Sequence, residues 1–547
     1  MSQEDYLILP QDRSTTRTGR SFTSKCGQLF LDNANIFKAF IGTNFLSISF
    51  ALSMSGLYLG IAGLVLIATA TVHCCYLIVK CKRYAIEDIV RKFNLHPESS
   101  RTHRKLVQSI EKSLSYGDIS RLTLGRWGTW VTNISLLVTQ LGFCINYFIF
   151  IGNTIQRMFP VTNTTVVPAS TIHPGTPLQS LSYADALMES TTQTANWTHV
   201  MNNAAHSSAP PYQLLMLIPF PIFIVFALLR KIRQLGSSSI IANGSVLIAY
   251  VVVMYYILRD FEINSTIVNV NWKQFPVFFG QVTASYEGIG TIIPIESSME
   301  GNRHLYPLLL HINVTFFTLL MASIGIMGYL YYGKNVEQMI IWSLPLQDPL
   351  TIAVNVTLII AIVFTYPLQV FPIVEIMEQL IFAPGQCLGP SKQRIMEDGV
   401  EDSINKSDND REDLSESTDE KTQLLQPTHD EEDRQMMQTF RQCVVTVTIP
   451  DSVATWKRNT LRILIVIFQA GIALTLKNSI AYFSAFTGAI GSTILGFILP
   501  CTIHLVLRGK QLNPLVWIKN IFLIVIGVAG GVAGVYVSIV SIIEHEG

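Results

Sequence analysis

Three short stretches carry residue types that can bind a charged solute inside a membrane: Gly42-Thr43-Asn44, Ser285-Tyr286-Glu287-Gly288 and His73. Glycine and small polar residues let a helix unwind. An unwound turn exposes N–H groups, which together with the positive end of a half-helix meet a carboxylate. The carbonyls freed on the other side meet an ammonium group. A zwitterion offers both charges. The imidazole of His73 titrates between about pH 5 and 8, so it can take a proton from an acidic compartment and lose it to the cytosol. Glu287 can bind a proton or a substrate amine, or cap a broken helix. Ordinary small-residue helix packing explains the glycines alone, but it gives no reason for a carboxylate beside them.

The elements that must hold these residues are membrane helices. Only 14% of the 547 residues are Asp, Glu, Lys or Arg, and 49% are hydrophobic. A typical soluble protein is about 25% charged. Lys+Arg and Asp+Glu balance at 38 each, which gives no case for a nucleic-acid partner. Eleven apolar blocks come near the length of about 20 residues that a membrane helix needs: 36–57, 58–80, 128–151, 213–230, 239–258, 274–296, 305–331, 349–377, 460–476, 481–507 and 516–543. The fourth carries Pro219 and Pro221, which leaves its end open. The chemistry-bearing stretches fall in the first, second and sixth blocks. Interruptions in the first and sixth are five helices apart, the spacing of a five-plus-five inverted repeat. Further ionisable residues inside blocks are Glu296, His311 and Glu375. Glycines 527, 530, 531 and 534 in the last block form two GxxxG patterns, read as internal packing ahead of a dimer contact.

Charge placement sets the orientation. With a cytosolic N-terminus, 32 of the 38 Lys and Arg residues fall on the cytosolic side, as the positive-inside rule requires. Residues 1–35 then form a cytosolic tail, 36–377 the first eight helices, 378–459 a cytosolic loop, and 460–547 the last three helices with a non-cytosolic end. The N-terminus lacks a signal-peptide core, so the first helix is expected to act as the insertion signal. The luminal loop 158–212 holds no Lys or Arg and carries the glycosylation sequons of Asn163 and Asn196; that of Asn264 follows helix 5 on the same side. The loop 378–459 has fifteen acidic residues between Glu397 and Asp433, a composition expected to be disordered. It contains Glu420 four residues before Leu424-Leu425, the pattern of an adaptor-binding sorting signal. Tyr6 and Leu9 offer a second such signal. Clathrin adaptors and the membrane lipid are the expected partners. The expected location is the endolysosomal membrane, with the plasma membrane second.

Several chemistries are not supported. The eight cysteines have no metal-site spacing and no framework for disulfides. No nucleophile–base set or phosphate loop is visible, so the chain is not read as an enzyme, and no cofactor is expected beyond a co-transported ion. No ring of charge or repeated filter favours a channel.

Longer motifs run through these blocks: Ile41-Gly42-Thr43 after Lys38, Val72-His73-Cys74, Tyr116-Gly117-Asp118, Val138-Thr139-Gln140-Leu141-Gly142-Phe143-Cys144, Glu287-Gly288-Ile289-Gly290 followed by Pro294 and Glu296, and Phe364-Thr365-Tyr366. Together they resemble the amino acid/auxin permease superfamily, and within it the proton-coupled amino acid transporters (solute carrier family 36-like). The resemblance covers roughly 28–385 and 455–543. It implies an all-α integral membrane protein of eleven transmembrane helices, in a five-plus-five inverted-repeat (LeuT-like) fold with one extra helix. It implies proton-driven symport of small neutral amino acids into the cytosol. Proton coupling would fall to His73 with Glu287. The substrate would bind between helices 1 and 6, at Gly42, Thr43, Asn44, Ser285, Tyr286, Glu287 and Gly288.

The chain departs from the family pattern in helix 1, where Asn44 replaces a glycine and Ser47-Ile48-Ser49 replaces Gly-Leu-Pro. The family's luminal disulfide has no counterpart. Two competing readings follow: a sodium-coupled carrier of the same superfamily, and a non-transporting lysosomal amino-acid sensor that signals through its cytosolic segments.

Overall fold

The computed structural model describes residues 22–40, 42–92, 107–108, 110–111, 114–159, 161–163, 205–207, 210–229, 238–286, 288–299, 303–345, 348–382 and 453–546. Among them, seven helical stretches are long and apolar enough to cross a membrane: Leu57–Lys92, Tyr116–Met158, Arg303–Asn335, Pro349–Phe382, Thr455–Thr475, Ile480–Gln511 and Pro514–Glu546. This is a multi-span membrane protein.

The chain opens with α1 (Phe22–Phe40), a 3-10 turn (Thr43–Ser47) and α2 (Ile48–Ser55). The α1 helix starts inside the segment that hydropathy assigns to the tail. Its first turns are too polar to register as a span, yet Asn33 there accepts a hydrogen bond of 2.7 Å from Asn313 Nδ2. Gly56, at φ 84°, turns the chain into α3 (Leu57–Lys92). A Cβ there would also meet the Asn269 backbone at 2.8 Å, so glycine is required twice over. The corner is tied to the loop after helix 5, because Leu57 N donates to Val268 O and Asn271 N donates to Ser55 O.

The next helix, α4 (Tyr116–Met158), begins on a capping box: Ser115 Oγ accepts from Asp118 N, and the Asp118 carboxylate accepts from Ser115 N. This explains the Asp of the Tyr116-Gly117-Asp118 motif. Beyond α4 the fourth apolar block is split at its prolines into α5 (Tyr212–Met216) and α6 (Phe220–Leu228). Then follow α7 (Ser238–Arg259), α8 (Phe275–Ser285), α9 (Ile289–Ser298), α10 (Tyr306–Tyr332) and α11 (Pro349–Phe382). The last group is α12 (Thr455–Thr475), α13 (Ile480–Thr487), two π-helical turns (Gly488–Ser492 and Ile494–Ile498), α14 (Leu499–Arg508) and α15 (Pro514–Glu546). One departure from an all-helical chain is a short antiparallel pair, β1 (Val161–Asn163) with β2 (Ala205–Ser207), which pairs Val161 with Ser207 and Asn163 with Ala205. It joins residues near the two ends of the luminal loop 158–212.

Small residues bring the core helices backbone to backbone. A Cβ on Gly280 of α8 would lie 2.2 Å from Ala485 O, and one on Gly488 would lie 2.2 Å from Gly280 O. On the other side of α13, a Cβ on Gly142 of α4 would strike Thr487, and one on Gly491 would strike Thr139. The run Val138 to Cys144 is therefore the α4 surface that fits α13. The last helix uses its glycine stripe in the same way. Gly530 receives the Phe279 ring, and Gly531 and Gly534 lie against Ala489. The two GxxxG patterns are thus spent inside the chain.

Bulk at these contacts has nowhere to go. Gly280→Val is expected to lower stability by about 2–3 kcal/mol, the upper range for overpacking. Gly471→Ala, where a Cβ meets nothing within 4 Å, is expected to leave it unchanged. Thermal unfolding of the purified protein in detergent, followed by intrinsic fluorescence, checks the pair.

Candidate functional site

Both expected interruptions are present. In the first, α1 stops at Phe40, Gly42 is extended at φ −144° and ψ 175°, and the chain resumes as a 3-10 turn from Thr43. In the second, α8 stops at Ser285, Tyr286 leaves the helical region at ψ 22°, and α9 starts at Ile289. Glu287 lies outside the described residues. Each break creates one helix C-terminus and one helix N-terminus, with unpaired carbonyls on one and unpaired N–H groups on the other.

The two breaks meet. A Cβ on Gly288 would lie 2.8 Å from the Phe40 ring and 2.9 Å from Ala39 O. The end of α1 therefore rests on the start of α9, a contact that only glycine permits. Gly42 is the opposite case: a Cβ there would meet nothing within 4 Å, so its backbone faces open space. A positive helix end at Gly42–Phe45 and a negative one at Ser285–Tyr286 supply the two poles that a zwitterion needs.

The side chains around the breaks are mostly committed. Asn44 is buried. Ser47 Oγ bonds Met339 Sδ at 2.9 Å, and Ser49 Oγ donates to Ile324 O at 2.9 Å. The two serines that stand in place of the family's Gly and Pro thus anchor α2 to α10 and to the loop after it. Ser285 Oγ donates to Gln281 O within its own turn. The Tyr286 hydroxyl shares a 2.7 Å hydrogen bond with Thr318, and its ring packs edge-on against Phe317. Where these described side chains are committed, it is the backbone that can still offer polar groups.

Helix geometry explains where His73 points. Lys82, nine residues later on α3, is 1% exposed and reaches α9, where its Nζ bonds Glu296 Oε2 at 2.8 Å and Ser297 Oγ at 2.6 Å. Nine residues are about 13 Å of rise and about half a rotation away. His73 therefore lies level with the α9 break but on the opposite face of α3. Its imidazole faces Asn520 and Lys519 of α15. His311 and Glu375 are exposed.

The sequence reading missed several buried polar residues. Lys82 was counted among cytosolic charges. Glu378, 2% exposed, binds Arg458 and Arg462 at 2.7 and 2.8 Å. His504 and Asn520 are buried and joined at 2.9 Å. Gln281 on α8 and Asn146 on α4 are buried with no hydrogen-bond partner for their amide atoms. The signal available for all of them is a polar residue on a helix face otherwise apolar. Of the three sequons, Asn264 has its amide Nδ2 donated to Tyr332 O at 3.4 Å and its Oδ1 bonded by Thr266. Asn163 lies in β1, and Asn196 lies outside the described residues, as do Tyr6, Leu9, Glu420, Leu424 and Leu425. Among the described residues no group of three His, Cys, Asp or Glu is placed to hold a metal.

A family described as transmembrane amino acid transporter protein matches residues 32–94, 99–184 and 186–540. The chain belongs to this family. The match confirms the superfamily expected from the motifs, and with it the absence of an enzymatic relationship. Relatives include vacuolar amino acid transporter 4 of Saccharomyces cerevisiae, 25% identical over 390 residues, which are 70% of this chain and 44% of the yeast protein. Amino acid transporter AVT3B of Arabidopsis thaliana is 25% identical over 71% of this chain and 79% of its own length. Vacuolar amino acid transporter 3 of Schizosaccharomyces pombe is 24% identical over 70% of this chain and 47% of its own. The chain thus spans less than half the length of the two yeast relatives.

The Lys82–Glu296 pair ties the family's helix 2 to the second half of its broken helix 6. Removing one partner leaves a buried charge, which costs about 3–5 kcal/mol. Lys82→Met is therefore expected to be far less stable than the double variant Lys82→Met/Glu296→Leu. Thermal unfolding of both in detergent decides it.

Proposed function

We propose that the chain is a secondary active transporter that carries small neutral amino acids into the cytosol by proton-coupled symport. The observation that carries this reading is the meeting of two helix breaks through Gly288 and the Phe40 end of α1. Non-helical backbone at membrane depth is tolerated only where it is buried in protein or lines a cavity, and paired breaks of this kind hold the substrate in transporters with inverted repeats. The seven long helical stretches, together with α1–α2, α5–α6, α7 and α8–α9, are consistent with eleven spans in a five-plus-five arrangement with one helix added.

In this reading the amino acid carboxylate takes backbone N–H groups at Gly42, Thr43 and Asn44. Its ammonium group takes carbonyls at the Ser285–Tyr286 end of α8, with Glu287 and Gly288 completing the site. The proton enters at His73, with Glu287 as the second acceptor, from the luminal side. Helices 1, 2, 6 and 7 then rock against the rest, and the proton leaves at the higher cytosolic pH. The vacuolar names of the two yeast relatives favour an endolysosomal membrane, in line with the sorting patterns at Tyr6–Leu9 and Glu420–Leu425. Asn163 and Asn196 are the favoured glycan sites, since the Asn264 amide is already bonded.

Radiolabelled amino-acid uptake into proteoliposomes, with and without an imposed pH gradient, tests the proposal. Uptake is expected to rise at least about fivefold when the outside is acidic and to be indifferent to sodium. Gly42→Leu fills the open space at the first break, and it is expected to cut uptake at least about tenfold without lowering the unfolding temperature. Sodium dependence would support the sodium-coupled carrier instead. Ligand binding without flux would support the sensor.

A further inference from the structure

His73 is half-buried, and a second imidazole, itself buried, lies on its side of the molecule. His504, on α14 and 3% exposed, places Nδ1 2.9 Å from Asn520 Nδ2. Asn520 is fully buried. The His73 ring faces the same carboxamide. Its Nε2, the His504 Nε2 and the Asn520 Oδ1 are all buried without a hydrogen-bond partner. Buried polar atoms left in this way call for an explanation. Three helices bring the residues together: α3, α14 and α15.

The carboxamide sets a rule. It has one accepting and one donating end. A ring nitrogen that faces Oδ1 must carry a proton, and one that faces Nδ2 must not. With Nδ2 toward His504, His504 Nδ1 is an acceptor and His504 is neutral, while His73 can donate to Oδ1 and can be an imidazolium. With the amide turned over, the roles exchange. Two imidazolium ions satisfy neither orientation, because one of them would present an N–H to Nδ2. The other groups around the pair do not relax this rule. The facing charges are cations, Lys519 beside both rings and Lys80 beside His504. Cys74 and Cys501, both buried free thiols, face each other on the inner side, near the Tyr116 phenol. Tyr84 stacks on His504 at 6.2 Å, and Arg508, over Tyr84, is held by Glu87 and Asp88.

We infer that His73 and His504 form one proton site that holds a single proton across the Asn520 carboxamide, with His504 as its second imidazole and Asn520 as the positioning residue that forbids two. This rests on the proton-coupled reading above. It adds a place for the proton to wait on α14, away from α3. A proton that moves from His73 to His504 leaves one ring neutral and makes the other cationic, so charge balances without a further acid, and the amide turns over as it does.

Deuterium exchange at the imidazole C2 positions, read by mass spectrometry on the full-length protein in lipid nanodiscs, measures each ring's protonation separately. His73→Gln is expected to move the exchange midpoint of His504 up by about half a unit or more, and His504→Gln to move that of His73 by a similar amount. Asn520→Asp accepts from both rings and is expected to raise both midpoints. In proteoliposomes, His504→Gln is expected to shift the acid activation of uptake. Midpoints of His504 that ignore His73→Gln, or of His73 that ignore His504→Gln, overturn the shared site. A wild-type protein with reciprocal midpoints but no uptake would instead sink the transport reading and leave the shared proton standing.

Discussion

Everything in this molecule answers to one constraint: a peptide group in hydrocarbon must find a partner. Continuous helices meet it within themselves. The two interrupted helices cannot, so their loose ends must be covered by protein or offered to a solute. Gly288 and Phe40 show covering at its closest, with the α1 end lying directly on the α9 start. Gly42 shows the reverse, a backbone left facing open space. The serines at 47 and 49 then do what a proline would have done differently. They fix α2 by bonding outwards to Met339 and Ile324, so the segment stays placed without a residue that forbids helix.

The same constraint explains why the partners of the broken helices are so smooth. The α13 helix and the π-helical turn after it must pass between α4 and α8, and they do so where glycines 142, 280, 488 and 491 remove side chains from the seam. The π-helical turns that follow leave carbonyls turned out of the regular ladder, and the Tyr116 hydroxyl reaches across to Leu495 O at 2.9 Å. The motif before helix 3 is thus partly a cap for its own helix and partly a bond for another.

Much of this was legible in the residue order. Glycine next to Thr, Asn, Ser and Glu marks both breaks, because such residues neither favour nor fill a membrane helix. The glycine stripe of the last helix announces close packing, though only the structure says against what. Polar residues near helix ends were not legible. Lys82 follows a hydrophobic run and looks like a loop charge, but α3 overruns the apolar block as far as Lys92, which draws the lysine inside. His504 stands four residues before Arg508 and reads as part of a cytosolic cap. Its pairing with Asn520 joins two helices through a turn, which no periodicity within one helix can reveal. The direction of His73 was legible in principle, since the nine-residue spacing to Lys82 puts the two on opposite faces. It needed the Glu296 contact to say which face was which.

The seam between α8 and α13 has a mechanical consequence. Gly280 lies against the Ala485 carbonyl, and Gly488 lies against the Gly280 carbonyl and the Ala284 methyl. A seam with so few side-chain atoms presents little relief to resist the sliding of one helix along the other. Its neighbours are latched: α3 to α9 through Lys82, and α1 to α10 through Asn33 and Asn313. The seam is thus a smooth contact set beside helices held by polar bonds.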